Sequence, residues 1–600
     1  MKWNVLFFLI TLAVPSWADE GMWLFDHFPA HTVKQKYGVD VSSQFLENLR
    51  LASARIGGST GAFVSSNGLL LTNRHIVAAC LAADGFLAAT AADEKRCPGL
   101  DIKVLTNIQD VQKPAKCVAA AGETCELVSL YAGSRYQLYR YKHYTDVRLV
   151  FAPEQQLAFF GHERDSITYL RYGLDIAFLR VYENGKPADT PHFLKWSSAG
   201  IKEGDLVFTS GNPRTTIRET TAAQLTFYRD TALPLELERL SKRIAALKDF
   251  GEQNPERIAF LEAYKSAAGK LIGLRDDRLV LRKTAFDGKI RRAVEADAKL
   301  GTEAGRVWDQ VAAAYKNWAP HERAYEVLEA DPAPGSKLFR MARATVRNQP
   351  VDHSPDINQS MEIALIAQYL DELKYLSEHG EKDVPVKAIL SGRTTQAAAE
   401  ELVRTGLDHL AQLLEPAAQR IRKKHEELIG AVEASAASQI AQYRYRLFGD
   451  AEYPDATGTP RVEYGVLKSY TDRAGVNEPY AATFSGLFYR ENNQGPYQVP
   501  KRWIDAKPTL DSVTPLDFVS TCDLGGGDGG SPTVNKDGEL VGVLFDGNLE
   551  SLPNTYLYTD DQARSVHVAA EGIAEALDKV YHADRLLHEL GLPDRNRINP

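Results

Sequence analysis

The sequence predicts an α+β fold in which two β-rich blocks flank one large helical insert. Three observations predict it. Between residues 40 and 215, short apolar runs alternate with turn signals. From about 217 to 450 the apolar residues recur at helical spacing. From about 460 the β pattern returns and gives way to a terminal helical stretch.

Taken in order, residues 1–18 read as a secretory signal peptide. Lys2 supplies the positive start, Val5 to Val14 the apolar run, and Ser16-Trp17-Ala18 a small-x-small cleavage site. That run is too short to span a bilayer, so the mature chain is expected to be exported, periplasmic or secreted, without membrane insertion after cleavage. Residues 19–216 form the first β lobe. Its strands include Gly61-Ala62-Phe63-Val64, Leu69-Leu70-Leu71-Thr72, Val147 to Phe151, Ile176 to Tyr182 and Leu206 to Thr209, with turns at Ser66-Asn67-Gly68 and Glu183-Asn184-Gly185. This spacing suits an antiparallel barrel or sandwich.

Residues 217–455 form the inserted helical domain. Leu237, Leu240, Ile244 and Leu247 lie on one helical face, as do Trp308, Val311, Tyr315 and Trp318. Pro255, Gly269, Pro320 and Pro416 interrupt the pattern, which points to a packed bundle rather than a coiled coil. Residues 456–560 form the second β lobe, with strands at Val462 to Lys468 and Glu539 to Phe545. Residues 561–600 are expected to be a C-terminal helix and tail.

The chain has 600 residues, with 25% charged, 44% hydrophobic and a net charge of −9. That is ordinary soluble-protein composition. No basic stripe is present, which argues against a nucleic-acid partner. Of five cysteines, Cys80–Cys97 and Cys117–Cys125 are neighbours in sequence, although four cysteines allow three pairings. Cys522 is then left over and reads as a buried thiol. No Cys/His spacing suggests a metal, and nothing implies a cofactor.

Chemistry concentrates in one glycine-rich loop, Thr521-Cys522-Asp523-Leu524-Gly525-Gly526-Gly527-Asp528-Gly529-Gly530-Ser531-Pro532. It resembles the nucleophile loop of a chymotrypsin-like serine peptidase, with Gly529 where the serine belongs. Upstream, Leu71-Thr72-Asn73-Arg74-His75 places a histidine after a strand, and Asp175 opens another strand. The order His, Asp, loop is the chymotrypsin order.

Further motifs extend the likeness. They are Gly21-Met22-Trp23-Leu24-Phe25-Asp26, the run Gly57 to Ser65, Phe159-Phe160-Gly161, Asp175 to Tyr182, Thr483-Phe484-Ser485-Gly486 and the stretch from Gly530 to Asn548. On these residues the chain resembles the bacterial exported serine dipeptidyl-peptidases of the dipeptidyl-peptidase 7 and 11 family, over nearly the whole mature length. The resemblance implies a chymotrypsin-like double β-barrel with a large inserted helical domain. It implies release of dipeptides from peptides with a free N-terminus, and a homodimer. It assigns His75 as general base and Asp175 as its orienting acid. The Gly527 and Gly529 N–H groups become the oxyanion hole, and Asp546 the carboxylate that meets the substrate α-amine. Gly547, where acid-preferring members carry arginine, implies an apolar or neutral side-chain pocket.

The departures are as informative. Gly529 removes the nucleophile. Arg74 and Ile76 stand where relatives carry other residues. Ser166 and Ile167 replace the family's asparagine and aromatic, which hold the amine and wall the pocket. Glu262 falls near a second amine-binding position. Ser531 is common in active relatives and replaces nothing. The resulting expectation is a pseudopeptidase that keeps an N-terminal-amine-binding cleft. The alternative is an active dipeptidyl-peptidase preferring apolar or neutral residues at the second position. A purely structural envelope protein would show no peptide binding.

Overall fold

The computed structural model describes residues 20–81, 84–252, 254–352 and 356–592. The signal segment 1–18 lies outside the described residues. Among the described residues are two large antiparallel sheets, a two-stranded ribbon of Tyr470–Thr471 with Asn477–Glu478, and a helical bundle, which agrees with the α+β expectation.

The first sheet has eleven strands. Its central path runs Phe86–Leu87, Asp146–Ala152, Ala177–Glu183, Leu69–Thr72, Ser59–Phe63, Ser53–Ile56, Ile102–Val111, Arg135–Tyr144 and Glu123–Leu130. Its middle strands are buried on both faces, and all four residues of Leu69–Thr72 are buried. Their near-continuous apolar character follows from this. The turn after Ala177–Glu183 has Asn184 at φ 52° and Gly185 at φ 75°. Positive φ at both positions is what a two-residue hairpin turn requires.

The second sheet has seven strands, in the order Arg461–Val466, Leu206–Gly211, Pro532–Asn535, Leu540–Gly547, Ser565–Ala569, Pro515–Ser520 and Ala481–Thr483. Neither ladder closes on itself. A single antiparallel bridge, Leu467 to Ser520, joins the exit of the first strand to the sixth.

Two sequence expectations are corrected here. The strand at Leu206 to Thr209 is expected in the first β lobe, yet Leu206–Gly211 pairs with Arg461–Val466 and Pro532–Asn535 in the second sheet. Propensity identifies a strand but not its partner. The expected helix from 561 onward also begins too early. Ser565–Ala569 is a fully buried strand between Leu540–Gly547 and Pro515–Ser520, and helix starts only at Ala570–Lys579. Its Val566-His567-Val568 core favours a strand, and His567 is satisfied there by Ser520, Thr533 and Ser565. Burial holds the His567 imidazole down to about 3, hence neutral.

Helices from Ala222–Phe227 to Ala431–Phe448 form the insert. Thr221 caps the first of them in a reciprocal capping box with Gln224. In Arg306–Trp318 the buried face carries Trp308, Val311, Tyr315 and Trp318, as the spacing predicts. In Leu233–Ala246 the buried face is shifted, because Arg239 and Arg243 turn inward to share Glu372. A buried cation is tolerated when a carboxylate pairs it, and hydrophobic period alone cannot see that.

One hydrophobic core is continuous between the sheets, joining Leu69, Leu71 and Phe178 to Phe208, Val534 and Val543. The helical bundle has its own core. Cys80–Cys97 and Cys117–Cys125 are disulfides, and Cys522 is buried outside both.

Candidate active site

The site grows from one register. Ala177 pairs with Thr72, so the residues just outside the pair, Asp175 and His75, meet at the same end of the first sheet. The His75 N–H donates to Asp175 Oδ1 at 3.1 Å, and His75 Nδ1 lies 2.6 Å from Oδ2. Asn73 donates from Nδ2 to the Asp175 carbonyl at 2.7 Å. The Asp175 side chain is only 4% exposed and that of His75 is 39% exposed, so the acid is enclosed and the imidazole opens outward. Burial alone lowers the His75 pKa. The Asp175 charge and hydrogen bond, with a further contribution from Asp546, outweigh burial and raise it above the usual value. A carboxylate on Nδ1 fixes that nitrogen as the N–H, which leaves Nε2 as the basic atom.

The glycine-rich loop approaches from the second sheet. Thr60 N–H donates to the Gly529 carbonyl at 2.9 Å, and Gly530 N–H donates to the Leu544 carbonyl at 2.8 Å. The loop is thereby fastened to both sheets. Gly530 sits at φ +84°, and a Cβ there would overlap the Thr60 carbonyl, so only glycine fits. Gly529 is not in the left-handed region. A Cβ built on it would lie 3.3 Å from His75 Nε2 and 3.1 Å from Asn73 Oδ1. Position 529 therefore points at the basic nitrogen, as a nucleophile must, and carries no side chain. Among the described residues, the N–H groups of Gly527 and Gly529 donate to no acceptor. Ser531 is fully buried, and its Oγ lies beside Gly211.

Asp546 joins this cleft through the strand Leu540–Gly547, but it is not a bare carboxylate. Its Oδ2 accepts from Arg171 Nη1 at 2.6 Å and from Ile167 N–H at 3.0 Å, and its Oδ1 accepts from Gly547 N–H at 2.9 Å. A carboxylate offers about four lone-pair positions, so roughly one remains. Ser166 and Ile167 are thus brought beside Asp546, Ile167 through its backbone at φ 58°. Gly547 is closely packed: a Cβ there would lie 2.6 Å from Ser551 Oγ, on the segment Leu549–Thr555, and 2.9 Å from Leu524 Cδ2, on the glycine-rich loop.

Glu262 lies on the helix Pro255–Leu274, which crosses above this region. From that helix Lys265 donates to the Arg164 carbonyl at 3.3 Å, while Gly269 and Gly273 lie against Leu549, Leu552 and Pro553. Sequence reasoning missed Arg171 and Asn73 as members of the site. Arg171 follows the Ser166-Ile167 segment and Asn73 precedes His75, so neighbourhood was the available signal. A recess of about 440 Å³ in the insert, between Asp230 and Glu381, includes none of these residues. Among the described residues, no cluster of His, Cys, Asp or Glu is arranged to hold a metal ion.

With this geometry in place, comparison with known proteins is decisive at the family level. The sequence profile of Peptidase S46 matches residues 18–117, 112–367 and 346–592. The chain belongs to the Peptidase S46 family. This Peptidase S46 member is 24% identical to the Asp/Glu-specific dipeptidyl-peptidase of Shewanella putrefaciens, covering 96% of this chain and 97% of that one. It is also 24% identical to the dipeptidyl-peptidase 7 of Phocaeicola vulgatus, again over 96% and 97%. Its fold is similar to that of Porphyromonas endodontalis DPP11, with a TM-score of 0.82 at 21% identity, covering 96% of this chain and 99% of that one. The Porphyromonas endodontalis DPP11 structures include a complex with the dipeptide Arg-Glu.

Proposed function

We propose that this Peptidase S46 member is a pseudopeptidase: it has lost covalent dipeptide release and binds peptides through their free N-termini. The observation that carries this is position 529. His75, Asp175 and two unengaged loop amides retain the arrangement of a serine peptidase, and the group they would activate is absent. Losing one member of a catalytic triad leaves only about 10³–10⁴-fold acceleration over water. The remaining lone pair of Asp546 is the anchor for the substrate ammonium, with Arg171 holding the carboxylate in place. Complexes of relatives with dipeptides support this use of the cleft.

The two sheets are read as the two lobes of a chymotrypsin-like double barrel. The support is that one carries base and acid and the other carries the Gly529 loop. An exported location is supported by the 1–18 pattern and by two disulfides, which persist in oxidising compartments.

Calorimetry with a free dipeptide amide and its N-acetylated form tests the reading. Binding of the free amine, with loss of at least tenfold on acetylation, is expected. Equal binding of both forms, or of neither, overturns it.

A further inference from the structure

Position 529 is more than a missing group. Asn73 is fully buried and its Nδ2 is committed to the Asp175 carbonyl, so its Oδ1 is the atom turned toward residue 529. That Oδ1 has no hydrogen-bond partner. Buried acceptors are rarely left so, and each exception calls for a cause. Beside it stands His75 Nε2, whose ring is 39% exposed and open to solvent. A small polar molecule resting against Gly529 meets one acceptor, Asn73 Oδ1, and one base, His75 Nε2. Two such partners in a polar recess are what an ordered water needs.

We propose that this seat holds a water that His75 activates, so that the protein hydrolyses peptidyl esters by single displacement, with no acyl-enzyme. The inference rests on the peptide-binding reading of the cleft. The water oxygen forms a bond to the ester carbonyl carbon, and its proton passes to His75 Nε2. The carbonyl π pair moves onto oxygen, toward the Gly527 and Gly529 N–H groups. Collapse of that oxyanion breaks the ester C–O bond, and the proton on His75 is delivered to the departing alkoxide. The products are a peptide acid and an alcohol, and no oxidant or reductant is needed. Esters are the fitting class because an alkoxide leaves far more readily than an amine, so water suffices as nucleophile where a peptide bond demands more. Asn73 is a positioning residue in this scheme. Its Oδ1 accepts a hydrogen bond from the O–H that the water keeps, which aims a lone pair into the cleft.

The test substrate is a depsipeptide, a dipeptide with a free amine joined through an ester to lactate. Wild type is expected to hydrolyse it at least tenfold faster than Gly529→Ala and His75→Gln. The alanine methyl would occupy the seat, 3.3 Å from Nε2 and 3.1 Å from Asn73 Oδ1, and displace the water. Binding of the corresponding dipeptide amide is measured in parallel. Binding without any advantage of wild type over Gly529→Ala overturns the water seat and leaves the cleft reading standing. Absence of binding overturns both. Intact-mass analysis during turnover is expected to show no acyl adduct on wild type, and an adduct would overturn single displacement. Should Gly529→Ala fail to fold, the wild-type pH profile replaces it. Hydrolysis through His75 rises with one ionisation above the ordinary histidine range, and a flat profile overturns the proposal.

Discussion

At the scale of single residues, Gly529 places no side chain at the position that His75 Nε2 faces. The backbone there admits an L-residue, and the nearest contacts of a new Cβ are 3.1–3.4 Å, tight but tolerable with small shifts of Asn73 and His75. Gly529→Ser is therefore expected to fold and to cleave dipeptidyl-coumarin substrates at least about 10²-fold faster than wild type, since a triad acts as a unit. If both proteins are silent, the Ser166, Ile167 and Arg171 surroundings have closed the cleft as well. A second expectation concerns His75. Its folded pKa is raised, so protonation is favoured in the native state. Its stabilising contribution is complete below the unfolded histidine value and fades as pH rises through the folded one. An NMR titration should place His75 above ordinary histidines, and Asp175→Asn should bring it down. The meeting of His75, Asp175 and Gly529 was legible because motif order survives without a structure. Arg171 was not, because its meaning depends on Asp546, which is distant in sequence and adjacent only in the fold.

At the scale of elements, the helix Pro255–Leu274 is the contact between insert and cleft. Gly269 and Gly273 lie one turn apart, and a Cβ on either would overlap Leu552 or Pro553 of Leu549–Thr555. That same segment supplies Ser551, which packs beside Gly547. Gly273→Leu should therefore destabilise the protein by about 1–3 kcal/mol through overpacking. It should also raise hydrogen exchange in 549–555 and change peptide binding without touching His75. Unchanged exchange would mean that the helix is not what holds this segment. Helices were legible from spacing wherever their inner faces are apolar, as in Arg306–Trp318. Where Arg239 and Arg243 turn inward to Glu372, spacing indicated the helix but not its buried side. The strand Ser565–Ala569 was hidden because five residues beside a strongly helical stretch carry little periodic signal.

At the scale of the whole molecule, unpaired acidity accumulates beneath the glycine-rich loop. Asp528 and Glu463 are fully buried, and both are pushed up chiefly by burial, Asp528 to about 8. Asp523, bound bidentately by Arg218, adds to this upward push on both. A raised carboxyl binds its proton in the folded state, so its contribution is present below the unfolded carboxyl range and is lost as pH rises toward 8. Thermal stability should therefore fall between pH 5 and pH 8. Asp528→Asn should recover part of that loss at pH 8 while changing little at pH 5, because an amide can still accept the Gly525 N–H. A melting temperature that is flat with pH would count against buried protonated acids.

The pairing of Leu206–Gly211 with Arg461–Val466 has a consequence for how the chain folds. Gly211 faces Arg461 across the ladder, so the entire insert is the loop of a single hairpin. Closing a flexible loop of about 250 residues rather than a two-residue turn costs about 4 kcal/mol of additional chain entropy, at about 0.6 kcal/mol per doubling. The bundle has its own hydrophobic core, and once formed it is no longer a flexible loop but a rigid clasp that presents both ends side by side. The second sheet thus receives its two outermost neighbours on the 206–211 side as a pre-registered pair. Folding of the insert becomes the step that sets when the loop carrying Gly529 can reach the histidine of the other sheet.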